Sequence, residues 1–91
     1  MENLKKPINQ LSEVLFYLIT KKYITFSQIH QETGIINLSA RLSDLKISHN
    51  LPIKLNNVKT TNKFGRKIEF GSWCLQDKIK GIEIYNEIIN K

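Results

Sequence analysis

Cysteine is almost missing. Cys74 stands alone among 91 residues, so the chain can form no internal disulfide and no zinc site built on paired cysteines. Flanked by Trp73 and Leu75, it reads as a buried strand residue rather than a reactive thiol. Proline occurs only at Pro7 and Pro52 and glycine four times, which leaves no linker or low-complexity tract and favours one compact unit over residues 1–91. No apolar run approaches the roughly 18 to 20 residues that cross a bilayer. The opening Met1 to Pro7 stretch has neither the apolar core nor the small-residue cleavage site of a secretory signal. A soluble, cytoplasmic protein is therefore expected. His30 and His49 lie nineteen positions apart, and neither a glycine-rich phosphate loop nor a nucleophile elbow occurs. Glu83 and Glu87 read as a solvated helix face. The expectation is no enzyme, no cofactor, no metal and no small-molecule substrate.

Acidic residues are lacking in one place. The net charge is +6, yet between Lys46 and Lys67 there are six basic residues (Lys46, Lys54, Lys59, Lys63, Arg66, Lys67) and no acid, while the remainder holds eight of each sign. The surplus positive charge is thus confined to one 22-residue segment. Such a local field suits a polyanion.

What is present is a change of period along the chain. Leu11, Val14, Leu15 and Leu18, with Ile19 beside them, recur at helical spacing and predict a first helix ending near Lys21 and Lys22. Phe16 falls outside that stripe and calls for a second element to cover it. Thr25 followed by Gln28 has the form of a capping box, predicting a second helix that Gly34 ends in the left-handed conformation. Asn37 is placed to cap a third helix, with Leu38, Leu42 and Leu45 inward and an end near His49 or Asn50. Beyond Pro52, Ile53, Leu55 and Val58 alternate with polar residues, and Thr61 to Gly65 supply turn chemistry. The predicted return strand carries Ile68, Phe70 and, after an irregularity at Gly71 and Ser72, Trp73 and Leu75. A last helix is expected from about Gln76 to Asn90. The fold class is α+β, with three helices, a basic hairpin and a C-terminal helix. The helix-turn-helix occupies about 25–50, the hairpin about 52–75 and the final helix about 76–90.

The stretch Gly34-Ile35-Ile36-Asn37-Leu38-Ser39-Ala40-Arg41-Leu42-Ser43-Asp44-Leu45-Lys46, followed by Leu51-Pro52-Ile53, resembles a family of small bacterial and phage winged helix-turn-helix domains. Their signature runs Gly-Ile, a short spacer, then Leu-x-x-Arg-Ile/Leu-Ser-Asp-Leu. Gly65-Arg66 and Trp73-Cys74-Leu75 stand where the family tends to have Gly-Arg and Tyr-x-Leu. His49-Asn50 replaces the family's glycine after the recognition helix, and Asn50 can take the same left-handed conformation. The resemblance covers roughly Ile24 to Leu75. It implies a winged helix-turn-helix that binds double-stranded DNA, as in a small bacterial or phage regulator of transcription.

On the third helix, Ser39, Ala40, Ser43 and Lys46 are expected to face outward, small and polar enough to approach base edges in the major groove. Asn37 would sit at the helix's positive end, where a phosphate is favoured. Arg41, at the edge of the buried face, can reach DNA or pair with Asp44. Lys59, Lys63, Arg66 and Lys67 lie on or beside the hairpin tip, where a wing can grip the backbone or enter the minor groove. The rival reading is a protein-interaction module on the same scaffold, such as a phage inhibitor of a host protein. On the last helix Ile79, Ile82, Tyr85 and Ile89 form one face, while Ile84 and Ile88 project away. That apolar surplus, with Gly81 weakening the helix, suggests either a homodimer through this helix or a groove between the first helix and the hairpin that buries both sets.

Overall fold

The computed structural model describes residues 4–90. Its elements are α1 (Gln10–Thr20), β1 (Ile24–Thr25), α2 (Phe26–Thr33), α3 (Leu38–Ile47), β2 (Ile53–Thr61), β3 (Lys67–Leu75) and α4 (Lys78–Ile89). The class is α+β, with four helices and a three-stranded antiparallel sheet in the order β1-β3-β2. No helix among the described residues is long and apolar enough to cross a membrane.

Helix α1 lies at the centre, packed against α2, α3, α4 and β3. Its start is fixed by a reciprocal cap. The Asn9 side chain accepts from Ser12 N–H at 2.9 Å, and the buried Ser12 hydroxyl accepts from the N–H groups of Ile8 and Asn9 at 2.9 and 3.0 Å. Val14, Leu15 and Leu18 are fully buried. They meet Ile24, Ile29, Leu38, Leu42, Leu45 and Ile53 in one hydrophobic cluster.

Turn chemistry sets the borders of α2 and α3. Thr25 accepts from Gln28 N–H at 3.3 Å, and Gly34 ends α2 at φ +77°. Asn50, at φ +57°, carries the chain out of α3, and Leu51 N–H returns to the Leu45 carbonyl at 3.1 Å. Asn37 departs from expectation: it precedes α3 with φ −102° and ψ 62°, and its side chain makes no capping bond. Its backbone lies outside the extended conformation from which a side-chain oxygen reaches back to the first turn.

The hairpin corrects a second expectation. Pairing runs without a break from Ile53 opposite Leu75 to Thr61 opposite Lys67, so there is no irregularity at Gly71 and Ser72. A Cβ at Gly71 would lie 3.1 Å from Leu55 Cδ1 and in ordinary contact with the Trp73 ring. The hairpin enters the core near its base, through Ile53 and Leu75, with Ser72 buried and Trp73 packed against the cluster. The remainder projects, giving the molecule a long axis of 47 Å against 27 and 23 Å for the others.

The last helix uses a different face from the one its spacing suggested. Gly81, Tyr85 and Ile88 are buried, Ile84 and Ile89 pack at the margin, and Ile79 is 75% exposed. Gly81 is no weak point, because a Cβ there would run into the Leu75 side chain; the helix approaches the sheet closely through it. Tyr85 lies 6.1 Å from Phe16, supplying the cover that Phe16 requires, and donates to the Lys5 carbonyl. Ile88 is therefore buried within the chain and Ile84 packs against its core, which leaves Ile79 as the exposed isoleucine of α4. Lys80 Nζ ties α4 to the Asn50 carbonyl at 2.8 Å.

Candidate nucleic-acid interface

Because Leu38, Leu42 and Leu45 are buried, the opposite side of α3 is left to Ser39, Ser43, Lys46 and Ile47, all exposed. Ala40 and Arg41 sit half-buried at the flank. The Arg41 guanidinium pairs with Asp44 at 3.3 Å, one turn along the same helix. Of the two roles open to Arg41, the structure shows this one.

The outward side of α3 does not stand alone. Ser39, Ser43, Lys46 and Ile47 share a groove of about 350 Å³ with Leu55 of β2 and Trp73 of β3. Leu55 and Trp73 are directly paired across the hairpin, so their side chains leave the same face of the sheet. By strand alternation that face continues outward through Lys59, paired with Glu69, and Thr61, paired with Lys67. Ser39, Ser43 and Lys46 thus adjoin the sheet face that carries Lys59, Glu69 and Lys67 farther along the hairpin, where these three line a separate hollow.

The tip, residues 62–66, is organised by Asn62. Its side-chain oxygen accepts from the N–H groups of Phe64 and Arg66 at 2.9 and 3.0 Å, and its own N–H donates to the Arg66 carbonyl at 2.9 Å. Gly65 completes the turn at φ +86°. Lys63 and Arg66 are exposed there, with the Lys63 ammonium 5.3 Å from the Phe64 ring centre.

Three features escaped sequence reading. Ile47, 79% exposed, and Leu55, 54% exposed, add apolar contact surface to the groove; the only signal for Ile47 was its place outside the inward leucine stripe. Trp73 forms part of the groove rather than only the core. Glu69 lies outside the acid-free run in sequence, yet strand pairing sets it opposite Lys59. Among the described residues no three His, Cys, Asp or Glu side chains cluster as metal ligands.

Comparison with protein-family models, curated proteins and solved structures returns no match for this chain. The functional reading rests on the residues themselves.

Proposed function

We propose that the chain is a winged helix-turn-helix domain that binds double-stranded DNA with sequence preference, as a small regulator would. The observation that carries the reading is that Ser39, Ser43 and Lys46 of α3 share a groove with Leu55 and Trp73 of the hairpin, whose same sheet face carries Lys59 and Lys67 farther out. In this reading α3 enters the major groove. Its serine hydroxyls meet base edges, and the methyl groups of Ile47 and Leu55 suit thymine methyls. Arg41 holds its place through Asp44. The first-turn N–H groups of α3, which Asn37 leaves uncapped, suit a phosphate. Lys59, Lys63, Arg66 and Lys67 contact the sugar-phosphate backbone beside the site.

Fluorescence anisotropy on labelled duplexes over a range of salt tests this. The unmodified protein should bind random duplex with a steep salt dependence and selected duplex more tightly. Replacing Lys63, Arg66 and Lys67 by alanine should weaken binding to every sequence, and the slope of log affinity against log salt should shrink by about 0.9 per lost phosphate contact. An unchanged slope removes the hairpin from the interface. Salt-insensitive capture of one protein partner, with no duplex binding, replaces the DNA reading by the protein-interaction one.

A further inference from the structure

Strand β3 has a neighbour on its outer side only near its C-terminal end. Ile24 and Thr25 pair with Trp73 and Ser72, and the chain then turns away into α2 at Phe26. Among the described residues no strand lies beside Lys67 to Gly71 on that side. The hydrogen-bonding pattern shows which groups point there. Asn62 N–H donates to the Arg66 carbonyl, and Gln76 N–H donates to the Pro52 carbonyl, so the even-numbered pairs of the hairpin exchange hydrogen bonds with each other. The odd-numbered residues Lys67, Glu69 and Gly71 consequently direct their N–H and C=O groups outward. This is an open sheet edge, able to accept another strand.

Two properties of the edge select its occupant. The first is charge. If β3 pairs antiparallel with β3 of a second copy about a two-fold axis at Ile68, each Lys67 falls opposite the partner's Glu69, and each Ile68 meets the partner's Ile68. Moving the axis to Glu69 would set two carboxylates face to face, and moving it towards Phe70 would run into β1. The second is shape. The Ile68 register sets the partner's Gly65 opposite Gly71, which brings the partner's hairpin tip to the end of β1. An apolar groove opens there, lined by Tyr23, Phe26, Phe70 and Trp73. At the tip, Phe64 is 84% exposed. An exposed aromatic side chain and an aromatic-lined groove are thus brought together twice by one symmetry axis, as a closed two-fold assembly requires.

We infer that the protein forms a two-fold dimer by edge pairing of β3, with reciprocal Lys67–Glu69 ion pairs and Phe64 of each copy seated in the aromatic groove of the other. The two sheets then join into one of six strands. This assembly is independent of α4 and does not rest on the DNA reading.

Sedimentation velocity over a range of concentrations tests it. The unmodified protein should show a monomer–dimer equilibrium. Lys67→Glu or Glu69→Lys, each of which sets like charges opposite each other twice in the dimer, should weaken association about tenfold. Lys67→Glu combined with Glu69→Lys restores the opposed pairs and should recover association to within about threefold. Both the single Glu69→Lys change and the double variant put a lysine opposite Lys59 within the hairpin. Recovery in the double variant therefore separates the interface from hairpin folding. Phe64→Ala should weaken the dimer without changing the circular dichroism of the fold. A monomer at every concentration, a dimer indifferent to Glu69→Lys, or a double variant no better than the single ones would overturn the inference.

Discussion

The Lys78 ammonium donates to the Lys21 carbonyl at 2.9 Å, joining positions 57 residues apart, and it also reaches the carbonyls of Leu18 and Ile19 at 2.5 and 3.1 Å. Carbonyls at the end of a helix lack intrahelical partners, and α1 has no basic residue in its last turn. The first residue of α4 therefore completes the end of α1. Lys78→Met keeps the aliphatic stem and removes the donors. It should lower stability by about 1 to 3 kcal/mol in urea unfolding. The amides at the end of α1 should be the first to lose protection from exchange.

Alkaline pH should weaken the fold through tyrosine. Burial pushes the Tyr85 hydroxyl above its usual 10.0, and Tyr17 is raised by burial and by the nearby Glu32 and Glu13. Above about pH 10 the unfolded chain releases these protons while the folded chain keeps them, so stability falls as pH rises towards the folded values. Burial moves Lys78 below its usual 10.5, and that shift acts the other way: between the folded value and 10.5, stability rises with pH. The tyrosine effect is read cleanly above this window. Tyr85→Phe should make the decline shallower there by up to one proton's worth of slope, in unfolding curves taken at successive pH values. An identical decline would assign the loss to other groups.

Gly81→Ala should cost stability although alanine is the better helix former by about 1 kcal/mol. The new Cβ displaces the side chain of Leu75, a core residue 5% exposed, and a net loss of about 1 to 2 kcal/mol is expected. In a Leu75→Ala background the same methyl group enters vacated space and should become stabilising. Chemical unfolding of the four proteins of this cycle gives the coupling directly.

The two sides of α3 should separate in mutagenesis. Leu42 is 3% exposed, and Leu42→Ala should destabilise the protein by about 2 to 5 kcal/mol. Ser39→Ala and Ser43→Ala, on the exposed side, should change stability by less than about 0.5 kcal/mol while altering preference among duplexes. Equal destabilisation by all three would reverse the assignment of the helix faces.

Local chemistry made much of this architecture readable in the sequence. Gly34 and Asn50 mark left-handed exits from helices, Thr25 caps α2, and the leucines of α1 and α3 repeat with helical period. What escaped was decided by partners distant in sequence. Apolar residues surround much of α4, so periodicity defines no single buried face. The close approach at Gly81 against Leu75 and Ile19 selects it. Gly71 looked like a break in β3, whereas it pairs with Asn57 in an unbroken ladder beside Leu55 and Trp73. The extended link at Tyr23 and Ile24 is legible, but it becomes a strand only through the pairing of Ile24 and Thr25 with β3. The same cause governs the candidate interface: the candidate side chains of α3 were legible one by one, but the hairpin register is what sets Leu55 and Trp73 beside them and Lys59 on the same sheet face.

The Asn62 side chain, by accepting from Phe64 and Arg66 at once, gives the hairpin tip its shape before any partner arrives. A free five-residue tip would have to be ordered on contact, at about 1 to 2 kcal/mol of backbone entropy per residue. Here much of that ordering is part of folding, so a surface that bound Lys63, Phe64 and Arg66 would meet a preformed backbone turn without the conformational cost a loose loop would impose.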